Sequence, residues 1–219
     1  MMDRGTSRLI TLALTSSLIV LASTVIGGSL ARSAQASPES AAVVGKPAPQ
    51  FTLTDTEGIP RDLSKYKGKY VVLEWFNQGC PFVKKHYGTG NMQRMQKEYT
   101  GKGVVWLSIC SSAPGKQGYY SAKEHNAMFQ EKQASPTAIL LDPDGKVGKI
   151  YGAKTTPDMY VINPKGILIY SGAIDDQPDT DPNSILAAHN YVREALDQSL
   201  AGEPVKVAST KSYGCSVKY

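Results

Sequence analysis

The sequence predicts a single-domain α/β protein with a mixed central sheet flanked by helices, and three observations predict it. A β-branched and aromatic run, residues 70–76, ends in the polar turn Asn77-Gln78-Gly79 and passes at once into Cys80-Pro81, where a helix can open. A second run, residues 104–110, is apolar almost throughout, as strands buried on both faces of a parallel sheet are. Between and beyond these runs apolar residues return at helical spacing, with Met92, Met95 and Tyr99 on one face. Strands that alternate with helices call for a mainly parallel sheet covered on both sides.

At the start of the chain, Arg4 and Arg8 precede an apolar run from Leu9 to about Ile26, and Ala34-Gln35-Ala36 offers a small-x-small cleavage pattern. Residues 1–36 therefore read as a secretory signal peptide. The competing reading, an uncleaved membrane anchor, is weakened by scattered Ser and Thr and by the Gly27-Gly28 break, so no stable membrane span is expected after cleavage. Setting the leader aside leaves 183 of 219 residues, enough for one domain with a sizeable core. It also removes three Arg and one Asp, so the formal charge of +5 falls to 21 basic against 18 acidic residues, or +3, which does not point to nucleic acid. Export places the cysteines in an oxidising compartment, where thiols either pair or are maintained by a dedicated reductant. Three cysteines cannot all pair within one chain.

Residues 37–43 are small and polar and read as a flexible leader into a domain spanning 42–201. Pro47 and Pro49 impose extended backbone before the alternation of Phe51 and Leu53, which reads as an edge strand closed by the Glu57-Gly58 turn. Asp62-Leu63-Ser64 is a short helical turn, and residues 70–76 form a central strand. The helical pattern after Cys80 runs to about Tyr99, interrupted at Gly88-Thr89-Gly90, which predicts a kink or a break. Residues 111–118 read as a loop, 119–133 as a helix, 137–141 as a strand, and 142–145 as a turn before a short helix through Tyr151. Met159 to Ile162 and Ile167 to Tyr170 flank the turn Asn163-Pro164-Lys165-Gly166, an antiparallel hairpin. Residues 173–183 look like a solvated linker, and Ser184 is expected to cap a final helix with Ile185, Ala188, Val192, Leu196 and Leu200 buried. In the tail, 202–219, Val205, Val207, Tyr213, Cys215, Val217 and Tyr219 alternate as an extended segment docked on the domain would.

Chemistry concentrates at Cys80. A thiol at a helix N-terminus faces unpaired N–H groups and the positive end of the helix dipole, both of which favour thiolate, and Pro81 suits the first helical position. Lys84, one turn on, would add positive charge. The bland alternative is a small buried hydrophobe, which is what most free cysteines are. Cys110 ends a buried strand and reads as packing. His86, His125 and His189 read as ordinary helix residues, because no pair has metal-ligand spacing. No Gly-rich phosphate loop, metal cluster or hydrolase triad is evident, so neither cofactor nor metal is expected.

The segment around Cys80 resembles the active site of thioredoxin-fold proteins, in which a buried acid stands six positions before the first cysteine, as Glu74 stands before Cys80. The second cysteine of Cys-x-x-Cys is absent, since position 83 is Val, and the Pro-x-x-x-Thr-x-x-Cys of peroxiredoxins meets Leu73 and Asn77. The chain is most similar to the redoxin or peroxiredoxin-like group of the alkyl hydroperoxide reductase and thiol-specific antioxidant superfamily. It shares that group's Cys80-Pro81-Phe82-Val83-Lys84, its closing Gly214-Cys215-Ser216-Val217-Lys218, and the opening pattern around Ala48-Pro49 and Phe51.

The resemblance implies a thioredoxin-like fold and a thiol-disulfide oxidoreductase. In this reading Cys80 attacks a protein or small-molecule disulfide, or a peroxide, Glu74 relays a proton, and Pro157 is a cis-proline that shapes the partner groove. An unknown reductant would restore the thiols. Cys215 is the candidate resolving partner of Cys80, with a permanent structural disulfide as the alternative. A thiol peroxidase and a non-catalytic binding domain remain the competing functions. Disulfide exchange is favoured over peroxide reduction, because the Thr and Pro that position peroxide are replaced by Asn77 and Leu73.

Overall fold

The computed structural model describes residues 41–219, so the expected signal peptide lies outside the described residues. In chain order the elements are β1 (Thr52–Asp55), β2 (Pro60–Asp62), β3 (Val71–Trp75), α1 (Pro81–Gly88), α2 (Asn91–Gly101), β4 (Val105–Cys110), α3 (Ala122–Glu131) and β5 (Ala138–Leu141). They continue as α4 (Lys146–Tyr151), β6 (Thr155–Thr156), β7 (Asp158–Ile162), β8 (Leu168–Gly172), α5 (Tyr191–Leu200) and β9 (Cys215–Ser216). The main sheet runs β2-β1-β5-β4-β3-β7-β8, while β6 and β9 pair separately. β4 lies parallel to both β3 and β5, and the outer pairs are antiparallel. This is the thioredoxin-like architecture that the resemblance implies.

Alternation along β3 divides the core. Val72 and Phe76 face Tyr87, Met95, Tyr99 and Leu196, whereas Val71, Leu73 and Trp75 face Leu107, Tyr151 and Tyr160 on the other side. β3, β4 and β7 are buried along their whole length, as continuous apolar runs require. The predicted break at 88–90 is real: α1 ends at Gly88, and Gly90 in the left-handed region starts α2. The edges of α3 lie inside the expected 119–133, because Ser121 and Glu124 form a capping box that fixes the start at Ala122.

Two expectations fail. Residues 173–183 are not a solvated linker throughout: Ala173, Ile174 and Asp175 are buried. What buries them is remote in sequence, the Lys85 ammonium reaching Gln177 O at 2.7 Å and Tyr213 donating to Asp175. The last helix begins at Tyr191, where Asn190 accepts the Arg193 N–H at 2.9 Å, and Ser184 sits instead in a 3-10 turn, Pro182–Leu186, capped by Asp181. Its buried stripe is Val192, Ala195 and Leu196, while Leu200 is exposed.

Residues 202–219 run extended across the domain. Ser171 and Ala208 through Thr210 exchange backbone hydrogen bonds, and Gly172, with φ +140°, lets the Thr210 carbonyl come within 2.3 Å of where a Cβ would stand. Further on, Cys215 lies opposite Thr156 in the β6–β9 pair, Val217 donates to Lys154 O, and Ala113 donates to Lys218 O. Tyr219 donates its hydroxyl to Ala153 O at 2.7 Å.

Candidate active site

Cys80 caps α1. Its backbone is extended (φ −76°, ψ 125°), Pro81 occupies the first turn, and the Lys84 N–H bonds Cys80 O at 2.9 Å. The turn before it is tied by Asn77, whose Oδ1 accepts Gly79 N–H at 2.8 Å and whose amide donates to Gln117 O at 3.0 Å. Cys80 has 0% of its surface exposed. Its Sγ lies 3.0 Å from the Thr156 carbonyl oxygen, beside the cis Thr156-Pro157 bond.

The structure brings Cys215 to the same point. Burial by itself pushes the Cys80 thiol up, but hydrogen bonds from the side chain and backbone of Cys215, with the Val83 N–H in the first turn of α1, hold it below its ordinary value. Cys215 is pushed up to about 11, first by burial and then by Cys80 itself. The two thiols are therefore shifted in opposite directions, Cys80 down and Cys215 up. Lys84 is not among the groups that set these shifts. Its side chain is exposed to solvent. The inward cation is Lys85, which holds the 177–184 loop and lies 5.6 Å from the centre of the Tyr213 ring.

Glu74 is fully buried one layer away. It accepts from Tyr87 (2.7 Å), Trp106 and Ser108 (both 2.8 Å) and Gln96 (3.2 Å), while burial pushes its carboxyl up. Among the described residues no hydrogen bond joins it to Cys80.

Two groups near the site were not given a role by the sequence. Asp158, directly after Pro157, is pushed up to about 7 by burial, opposed by the Lys154 N–H and by Ser212 of the tail. Its signal was a carboxylate opening an apolar strand. Tyr213 is the other: it donates to Asp175, and His86 Nε2 lies 3.3 Å from its oxygen. Asn91 satisfies His86 Nδ1 at 3.0 Å, and burial, reinforced by Lys85, lowers the imidazole to about 3, so it is neutral. No local sequence signal links His86 to Tyr213, which are 127 positions apart. Cys110 stays apart from the pair, donating to Gly118 O at 3.3 Å, and burial pushes its thiol up. Among the described residues no group of three His, Cys, Asp or Glu is placed to hold a metal, and no helix is long and apolar enough to cross a membrane.

Comparison with known proteins agrees with this fold. A crystal structure of an uncharacterized conserved protein from Geobacillus kaustophilus superposes with a TM-score of 0.68 and 30% identity, covering 81% of this chain and 92% of that one. The thiol-disulfide oxidoreductase ResA of Bacillus subtilis is 29% identical over 125 residues, 57% of this chain, which spans only 64% of that protein. Chloroplastic peroxiredoxin Q of Sedum lineare is 29% identical over 155 residues, covering 63% of this chain and 73% of the relative. The AhpC/TSA family model matches residues 44–171, more than half of the sequence, and the chain belongs to that family.

Proposed function

We propose that this protein is an exported thiol-disulfide oxidoreductase in which Cys80 attacks and Cys215 resolves. The observation that carries the reading is the juxtaposition of Cys80 and Cys215 at Thr156 by the β6–β9 pair, and the opposite shifts of the two thiols agree with it. The Cys80 thiolate attacks one sulfur of a substrate disulfide, and the other sulfur leaves as a thiolate that takes up a proton. Cys215 then attacks Cys80 Sγ, forms the Cys80–Cys215 disulfide and releases the second substrate thiol. The substrate gains two electrons and two protons, and a dithiol donor returns the pair to the reduced state. Pro157 and Thr156 form the wall against which the reacting sulfurs lie. Glu74 is better assigned to positioning than to proton relay, since through Tyr87 it ties α1 to the sheet.

Relatives named for thiol-disulfide exchange support the substrate class, and the peroxiredoxin relative keeps a peroxidase as the second reading. Against that second reading, Asn77 stands where a peroxide-positioning hydroxyl is expected, and both ends of its amide are already engaged. Stopped-flow mixing of the reduced protein with a small disulfide and with hydrogen peroxide separates them. Faster reaction with the disulfide, lost in Cys80→Ser, is the expected result; fast peroxide consumption would reverse the order. Cys215→Ser should trap a Cys80 adduct with little change in thermal stability, whereas a purely structural bond predicts no adduct and a loss of about 2–4 kcal/mol. The sequence pattern at Arg4, Arg8 and Ala34-Gln35-Ala36 supports export of a chain divided into leader 1–36, domain 42–201 and tail 202–219. N-terminal sequencing of protein from its native host should start near Ser37, and an intact Met1 would refute cleavage.

A further inference from the structure

Cys80 is sealed from solvent, although it is the thiol best suited to attack. What covers it is the chain's own tail. Among the described residues the only strand that pairs with β6 is β9, in antiparallel register, Thr155 opposite Ser216 and Thr156 opposite Cys215. If β9 left, the backbone of Thr155 and Thr156 would present an open edge to any extended peptide. A peptide entering in the register of β9 would set its own cysteine opposite Thr156, over Cys80.

The same register constrains the residue before that cysteine. Gly214 has φ +131°, and a Cβ built on it would stand 2.1 Å from the Thr156 oxygen and 2.8 Å from its carbonyl carbon. Both are backbone atoms of a strand wedged between Cys80 and β9, so neither can give way as a flexible side chain would. Only glycine passes. On the other side the strap is fastened by Tyr213, whose hydroxyl lies between Asp175 and His86 and whose ring lies near the Lys85 ammonium.

We propose that residues 213–216 are a tethered stand-in for substrate: they fill the groove along β6 that a peptide disulfide must enter, and they reveal that this groove takes glycine immediately before the attacked cysteine. The inference rests on the reading of Cys80 as the attacking thiol. As a tethered occupant the tail has an effective concentration on the order of millimolar, so substrate enters by displacing it, and weak extended peptides are excluded.

The test uses the full chain and does not depend on exchange. Gly214→Ala should undock the strap and speed iodoacetamide labelling of Cys80 at pH 7 by at least about tenfold, because labelling otherwise requires local opening. Tyr213→Phe, which keeps the ring and loses the hydroxyl, should give a smaller increase and serves if Gly214→Ala melts early by circular dichroism. A synthetic peptide of residues 209–219 with Ser in place of Cys215, added at millimolar concentration, should restore protection to the loosened protein. The same peptide with Ala in place of Gly214 should not. Unchanged labelling in both variants overturns the strap, and equal protection by the two peptides, or protection by neither, overturns the glycine requirement. Fast labelling without any disulfide exchange would sink the oxidoreductase reading and leave the strap standing.

Discussion

Glu74 offers the sharpest check on how the site is held. Its carboxylate is the acceptor for four buried donors, from Tyr87 in α1, Gln96 in α2, and Trp106 and Ser108 in β4. Replacing it with Ala does not strand all four equally. Gln96 still has the Tyr87 oxygen at 3.1 Å, and the Ser108 hydroxyl can rotate, but the Trp106 N–H and the Tyr87 O–H lose their acceptor. At about 1–3 kcal/mol for each stranded donor, with a cavity added, Glu74→Ala should lose roughly 4 kcal/mol or more. Glu74→Gln should lose only about 1–2 kcal/mol, because the amide oxygen can take the Trp106 and Ser108 bonds while its NH₂ donates to Tyr87. Burial pushes the Glu74 carboxyl above its ordinary value of 4.5 in the folded state, so its contribution is fully present below that pH and is lost as pH rises through the folded value. The deficit of the Gln variant should therefore shrink as pH rises. Urea unfolding followed by the fluorescence of buried Trp75 and Trp106, at pH 4 and pH 8, measures both effects. Equal losses for Ala and Gln, or a deficit that grows with pH, would refute the network as described.

Asp158, pushed up to about 7 from 3.8, favours the folded state most below pH 3.8 and loses that contribution as pH rises through about 7, so Asp158→Asn should gain stability relative to the parent between pH 4 and pH 8. A relative loss over that interval in thermal melts would show that the carboxylate is better solvated than its burial implies. Cys110 is buried, with its thiol pushed up, and should stay unlabelled by iodoacetamide in Gly214→Ala protein while Cys80 reacts; peptide mapping by mass spectrometry that found Cys110 labelled first would reverse the roles of the two cysteines.

The central strands and the helix break could be read in the sequence because their causes are local: residues 104–110 are apolar on both faces, and Gly88-Thr89-Gly90 interrupts a helical stripe. The cis bond at Pro157 could not be read that way; it followed from the family resemblance, and it is present. What failed depended on partners far along the chain. Residues 173–183 carry the charges and prolines of a solvated loop, yet Asp175 is buried against Tyr213, 38 positions on, and Lys85 reaches Gln177 across 92. Ser184 and Asn190 are both good caps six positions apart, and only the packing of Val192 and Leu196 decides between them. Helical spacing suggested Lys84 as a charge beside Cys80, and spacing alone did not reveal that its side chain is exposed while Lys85 turns inward.

Placing the two thiols at positions 80 and 215, rather than within one turn of a helix, ties the chemistry to the docking of the tail. In the proposed cycle an oxidised pair would bond the strap over the groove, so that a second substrate would enter only after the disulfide is reduced. An incoming thiolate has two sulfurs to choose from. Cys80 is covered, whereas Cys215 is only partly buried, which directs attack to Cys215. In the proposed cycle, access therefore assigns the reductant to Cys215 and the substrate to Cys80. The two half-reactions of that cycle then use different sulfurs of one pair, and once the pair is reduced the tail is held only by its non-covalent contacts, which the next disulfide must displace.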